Sequence, residues 1–252
     1  MALTLYHGEP NGPSLTVLAT LFEKGLTADL KKIDLAAGER HSLPFAEQPE
    51  VAMSIEGEGP VLVAEDGTAM TDATFIALYL NDLSADNPLR PEGAYGHWQL
   101  NMWCRFITER ISPAAALLGT RAYPVAATDE TIAGIPSLDL RERWQAAREG
   151  RFIEAQVADS EGKVKLAVER TEKQLGDGDW ILDDFSIADL ETYAWLAGMA
   201  ALKPALFAGA PKARAWLERV KARPAVQQAL MMASSEDPLE SWAPGPEINR
   251  WG

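Results

Sequence analysis

Strand-like alternation is confined to the first third of this 252-residue sequence, and nearly everything after it repeats at the helical period. The change falls at Ser84-Ala-Asp-Asn-Pro-Leu-Arg-Pro91, which has the composition of a connecting segment. A chain built this way separates into a small mixed α/β unit, residues 1–86, and a larger all-helical unit, residues 87–252. With 47% hydrophobic residues there is enough apolar side chain for two cores.

Within the first unit, Leu3 to Tyr6 reads as a strand that stops at Gly8, Pro10 and Gly12. Leu15, Leu18, Ala19 and Phe22 then recur on one helical face up to Gly25, with Ser14 offering a capping hydroxyl. Leu30 to Leu35 is a second strand. The stretch from Ala36 to Gly59 is rich in Gly, Pro, Glu and Ser and reads as a long loop, with at most a short helix at Pro44 to Gln48. Pro60-Val-Leu-Val and Thr68-Ala-Met70 flank Asp66-Gly67 and predict a hairpin. A helix follows, capped by Thr71 or Asp72 and striped by Ala73, Ile76, Ala77 and Leu80.

In the second unit, Leu100, Trp103, Cys104, Ile107 and Ile111 form one stripe, and Val164, Ala167, Val168, Thr171 and Leu175 another. Ser186-Ile-Ala-Asp189 has capping-box form with Asp in place of Glu, with Phe185 and Leu190 placed to staple it. Ala213, Trp216, Leu217 and Val220 predict a further helix, ended by Arg223-Pro224. Residues Ala122 to Pro136 read as irregular, as does the end from Ser234, where Trp242 and Trp251 should pack on the body or on a partner.

A net charge of −14 argues against a nucleic-acid or anionic-membrane partner. The densest basic stretch, Lys212 to Arg223, is interleaved as the wet side of an amphipathic helix. One cysteine, Cys104, precludes an intrachain disulfide and a cysteine cage, and His7, His41 and His97 lack ligand spacing, so no metal is expected. With no basic leader at its start and no apolar run of spanning length, the chain is expected in the cytoplasm.

The order strand, helix, strand, long loop, Pro-initiated hairpin, capped helix, connector and helical bundle resembles the glutathione S-transferase family over nearly the whole chain. The fold it implies is a thioredoxin-like domain followed by a helical bundle. More specifically, the chain is similar to the bacterial lignin β-etherases of the sphingomonad type. Leu5-Tyr6, Pro10, Ser14-Leu15, the run from Leu18 to Leu26 and His41-Ser42 fall at matching intervals, as do Trp144, Arg148-Glu149-Gly150 and the run from Trp216 to Pro224.

The resemblance implies a glutathione site. Gly59-Pro60 takes the place of a cis-proline step whose backbone pairs with the cysteinyl part of glutathione. Asp72 and Ala73 take the places of an acid and a hydroxyl that hold its glutamyl end, Ala73 lacking the hydroxyl, and His41 joins this binding set. Thiol activation would fall to Ser14 or Asn11, and after them to Tyr6, where a donor and the helix dipole favour thiolate. Ser14 and Asp72 serve equally as plain helix caps. Pro13 removes a backbone donor at this point.

By the same resemblance the reaction is thiolate displacement of a phenolate from a β-aryl ether, with Trp103, Arg110, Tyr123 and Trp144 as aromatic and polar contacts for the second substrate. Phe106 and Phe152 are further candidates, and core or surface packing accounts for each of these residues as well. The family's dimers imply a homodimer, or a heterodimer with a related subunit. The departures at Pro13 and Ala73 keep open a supporting, non-catalytic subunit, and another electrophilic aromatic substrate stays open too.

Overall fold

The computed structural model describes residues 3–35, 37–45, 59–123, 127–135 and 138–234. Strand β1 (Leu3–His7) leads into helix α1 (Gly12–Glu23) and strand β2 (Ala28–Lys32). Strands β3 (Val61–Val63) and β4 (Ala69–Met70) form the hairpin, and helix α2 (Ala73–Asp82) closes the first unit. The sheet order is β2-β1-β3-β4, with β1 parallel to β2 and antiparallel to β3. Alternation decides which side chain goes where. Leu3, Leu5 and Leu62 join the main core with α1 and α2, while Val61 and Ala69 meet Phe45 on the opposite face.

Strand β2 starts two residues and ends three residues earlier than its sequence suggests. Its ladder to β1 runs from Leu3↔Ala28 to His7↔Lys32, and the Ile33 amide donates to the His7 carbonyl as pairing ends. The two lysines are tolerated because β2 is an edge strand with mostly exposed side chains. Leu35 then folds back against Gly8, where a Cβ would stand 2.6 Å from Leu35 Cδ1, so this glycine is required by close approach. The hairpin turn forms as expected, with Gly67 at φ +86° and the Thr68 amide donating to Asp66 Oδ1 at 2.9 Å. The short helix expected at Pro44 to Gln48 falls largely outside the described residues, and a 3-10 turn, Glu39–Ser42, precedes it.

The connector is pinned rather than free. The Asn87 side chain donates to the Glu23 carbonyl at 2.8 Å, Lys24 Nζ donates to the Asn87 carbonyl at 3.0 Å, and the Leu89 amide donates to Asn81 Oδ1 at 2.9 Å. Beyond it come α3 (Gly93–Phe106), a π-helical turn (Ile107–Ile111) and α4 (Ser112–Ala122). The helix expected along the Leu100 to Ile111 stripe is interrupted here, because the wider turn inserts a residue that keeps Cys104, Ile107, Ile111 and Ala115 on the buried side.

Residues Ala122 to Pro136 are not wholly irregular, since α5 (Asp129–Gly134) forms within them, capped by Thr128 Oγ1 accepting from the Thr131 amide at 3.1 Å. Helices α6 (Leu138–Arg148), α7 (Glu154–Leu175), α8 (Ile187–Leu202) and α9 (Pro211–Lys221) follow. Pro224, expected only to end α9, also opens a last helix, α10 (Pro224–Leu230), because proline costs nothing at a first helical position. Helix α1 packs against α2, α8 and α10, so the helical domain directly supports the first helix. Among the described residues no helix is long and apolar enough to cross a membrane. Trp242 and Trp251 lie outside the described residues.

Candidate functional site

Strand direction gathers the site. Since β1 and β3 are antiparallel, and β3 and β4 are antiparallel, β4 runs with β1, as does β2. The ends of β1, β2 and β4 and the beginning of β3 therefore share one edge of the sheet. At that edge α1 starts after β1, the 3-10 turn follows β2, Gly59-Pro60 precedes β3, and α2 starts after β4. Two helix N-termini on one edge bring positive dipole ends together, an arrangement that favours anionic groups.

Ser14 is not the cap of α1. The helix begins at Gly12, Asn11 occupies the cap position without a side-chain capping bond, and Ser14 sits in the first turn. Its buried hydroxyl accepts from the Gly8 amide at 2.9 Å. That bond polarises the hydroxyl and leaves its own proton available to donate. Asn11 is also buried. Nearby, His7 is fully buried, with Nδ1 2.9 Å from the Gly8 carbonyl and Nε2 lacking a partner among the described residues. Burial is the largest influence on His7 and lowers its pKa, aided by Lys32 and opposed by the Gly8 carbonyl and Glu9, so the ring is held neutral.

Gly59 lies over the first turn of α1, where a Cβ would stand 3.9 Å from Pro13 Cβ. The expected cis bond at Gly59-Pro60 is absent, as no described peptide is cis. The trans form of an X–Pro bond is favoured by about 0.5–1 kcal/mol, and here the Gly59 carbonyl accepts from Arg40 Nε at 3.1 Å. Arg40 is a buried cation that no motif in the sequence marks, adjacent to His41. The His41 backbone is in the 3-10 turn, and its side chain lies outside the described residues.

Asp72 caps α2, its carboxylate accepting from the Thr74 amide at 3.1 Å and the Phe75 amide at 3.3 Å. Its φ of 71° is costly for a non-glycine residue, and such strain concentrates where a ligand is held. Ala73 is buried and supplies no hydroxyl. The next residue, Thr74, has a buried hydroxyl without a partner among the described residues.

The residues expected to touch a second substrate are not gathered. Trp103 donates Nε1 to Thr192 Oγ1 at 2.8 Å and lines a cavity of about 240 Å3 with Phe106 and Arg170. Arg110 lines an adjoining cleft of about 510 Å3 that shares Phe106 and Arg170. Tyr123 stands partly exposed at the end of α4. Trp144 is a correction: it is fully buried in a small core with Ile132, Ile135 and Leu140, because a large apolar surface was needed to hold α5 and α6 together. Helix α5 touches the 3-10 turn bearing Arg40, which makes it the part of the helical domain beside that side of the site.

Residues 138–224 match the family model described as glutathione S-transferase, C-terminal domain. Protein LigF of Sphingobium sp. strain SYK-6 is 29% identical over 259 residues, covering 95% of this chain and 97% of that protein. The crystal structure of this β-etherase aligns over 92% of the present chain and 100% of its own, with a TM-score of 0.79. Residues 138–224 thus carry a glutathione S-transferase C-terminal domain, and the chain as a whole has the glutathione S-transferase fold. More distant glutathione transferases share this fold. Poplar glutathione transferase F1, 20% identical, aligns over 92% of this chain and 98% of its own with a TM-score of 0.68. A glutathione transferase homologue from Sulfitobacter with bound glutathione, 19% identical, aligns over the same shares with a TM-score of 0.67. The thioredoxin-like domain and helical bundle anticipated from the order of elements are thus those of a glutathione S-transferase.

Proposed function

We propose that this chain is a glutathione-dependent enzyme that cleaves β-aryl ether bonds in lignin-derived aromatics. The observation that carries the reading is the convergence of Ser14, Arg40, Gly59-Pro60 and Asp72 on one sheet edge, in a chain similar along its length to a β-etherase. The donor set fits glutathione, a tripeptide with two carboxylates, an ammonium and a thiol. Two helix N-termini and Arg40 suit the carboxylates, Asp72 the ammonium, and the first turn of α1 the thiolate.

Bound there, glutathione supplies a thiolate that forms a C–S bond to the β-carbon as the bond from that carbon to the ether oxygen breaks, the phenolate leaving with the electron pair. The Ser14 hydroxyl, or the Asn11 amide, donates to that sulfur and keeps it ionised near neutral pH. Gly59, Pro60, Ala73 and His41 complete the glutathione-binding set. Trp103 and Arg110 approach the second substrate, and Tyr123 does so from the end of α4. The exposed apolar side chains of Phe75 on α2 and Tyr95 on α3 support assembly as a dimer, and we place the enzyme in the cytoplasm.

Pro13 and Ala73 favour a second reading, a supporting subunit of a heterodimer, because each removes a group able to bind glutathione. Calorimetric titration with glutathione separates the two, coupled to an assay of phenol release from a β-aryloxy ketone. Saturable binding and phenol release are expected of the purified chain. A folded sample that binds no glutathione and acquires activity only with a related chain overturns the leading reading and supports the second.

A further inference from the structure

Helix α6 does not close on the α4–α7 pair. Its apolar side, with Leu140 and Trp144, is spent on the small core it shares with α5. The other side leaves a cavity of about 290 Å3 between α4, α6 and α7. Every residue lining it comes from the helical domain, so it is separate from the sheet edge that carries Ser14 and Arg40.

The walls combine two chemistries. Pro113, Ala114 and Leu117 of α4, with Ala147 and Phe152, supply apolar surface suited to a ring. Arg143, Arg151 and Lys163 also line the cavity, against one acid, Asp159. Three cations against one acid face the cavity directly, and Asp139 and Glu149 beside them bring the cluster close to neutral in a chain of net charge −14. Each cation is paired near the surface: Arg143 with Asp139 at 3.2 Å, Lys163 with Asp159 at 2.8 Å, and Arg151 with Glu149. Pairs this exposed contribute about 0–1 kcal/mol, so a carboxylate can take up such a cation at small cost. Buried Ser160 and exposed Gln156 add polar groups to the lining.

Volume limits the ligand. An engineered apolar cavity of about 150 Å3 accepts benzene, so this one accommodates one substituted ring and is small for two. We propose that the cavity between α4, α6 and α7 is a binding site for a single-ring aromatic carboxylate. This inference does not rest on the proposed reaction, since no element of the glutathione site takes part.

The test is calorimetric titration of the full chain at low salt with 4-hydroxybenzoate and with its methyl ester, each with and without saturating glutathione. Saturable binding of the acid is expected with Kd below about 1 mM, changed less than about twofold by glutathione and at least about fivefold tighter than the ester. Ala146 lines the same cavity and is half-buried, so Ala146→Trp fills it and should weaken binding at least about tenfold. Absence of saturation by about 10 mM in a folded sample overturns the proposal, as does competition with glutathione. Equal affinity for acid and ester also overturns it, and that comparison needs no variant should Ala146→Trp fail to fold. Unchanged affinity in a folded Ala146→Trp overturns it as well.

Discussion

Replacing Asp189 should separate two effects of one buried carboxyl. Asp189 is fully buried at the start of α8, where Oδ1 accepts from the Ile181 amide at 3.0 Å and Trp216 Nε1 at 2.9 Å. Its Oδ2 accepts from the Ser186 amide at 3.0 Å and the Ser186 hydroxyl at 3.3 Å. Burial is the largest influence and pushes the carboxyl up to about 6 from 3.8, against the downward pull of those donors. A pKa raised that far corresponds to about 3 kcal/mol of preference for the protonated form in the folded state. Since the folded pKa lies above the unfolded one, this stability is fully present below about pH 4 and is lost as pH rises through about 6.

In Asp189→Ala, the Ile181 and Ser186 amides and the Trp216 indole lose their acceptor, at about 1–3 kcal/mol each, offset by relief of the buried charge. The net expectation at pH 7 is about 3–5 kcal/mol of destabilisation. Asp189→Asn keeps an acceptor for Ile181 and Trp216, sets an amide against the Ser186 N–H and carries no charge, so about 1–3 kcal/mol is expected. Urea unfolding at fixed protein concentration, followed by tryptophan fluorescence at pH 4, 5, 6 and 7, measures both. Wild-type stability should contain a component falling by about 3 kcal/mol from pH 4 to 7 that is missing in Asp189→Asn. Parallel pH profiles for wild type and Asp189→Asn would refute the assignment of that component to Asp189. Equal midpoints for Asp189→Ala and wild type at pH 7 would refute the donor accounting.

Other expectations follow from single contacts. Ser14→Ala should lower glutathione-dependent turnover about 10²-fold, and cost about 1–3 kcal/mol in denaturant melts because the Gly8 amide loses its acceptor. Turnover within threefold of wild type would shift the role to Asn11. Arg40→Gln should raise the Kd for glutathione about tenfold by calorimetry, and an unchanged Kd would remove Arg40 from the site. Gly8→Ala should destabilise by about 1–3 kcal/mol, since the new methyl meets Leu35, and a neutral result in a melt would show that Leu35 can move aside. Cys104 is buried and its thiol is pushed well up, first by burial and then by Glu191, Asp189 and Asp72. A chromogenic disulfide should therefore leave it unmodified until the chain unfolds, and rapid labelling of native protein would contradict that burial.

Helix positions were legible because burial and period coincide. Every apolar residue assigned to the stripes of α7 and α9 is buried, and the Ser186–Asp189 box forms with both of its reciprocal bonds. The errors share a cause, namely contacts distant in sequence. The extent of β2 is set by where β1 stops pairing, which two lysines on an exposed edge do not reveal. The π-helical turn is fixed by what Ile107 and Ile111 must bury, and a local period of 3.6 does not distinguish it from plain helix. Pro224 reads locally as a terminator, yet α10 starts there because Arg223 is held elsewhere. Its guanidinium pairs with Glu23 at 2.6 and 2.8 Å and lies 3.5 Å from the Phe185 ring centroid.

The candidate site was legible only in part, for a reason that follows from strand direction. Ser14, Gly59 and Asp72 flank strong local signals, a strand end, a strand start and a helix cap, so sequence could point to them. That they share one sheet edge depends on β1, β2 and β4 running parallel and β3 running against them, and pairing between distant segments is not written in any one of them. Arg40 was missed because its partner, the Gly59 carbonyl, is a backbone group nineteen positions away, and a carbonyl has no residue type to search for. Trp144 was overvalued for the converse reason. An aromatic side chain has the same appearance in a sequence whether it faces a ligand or completes a core, and only the apolar surroundings of Ile132, Ile135 and Leu140 decide between them.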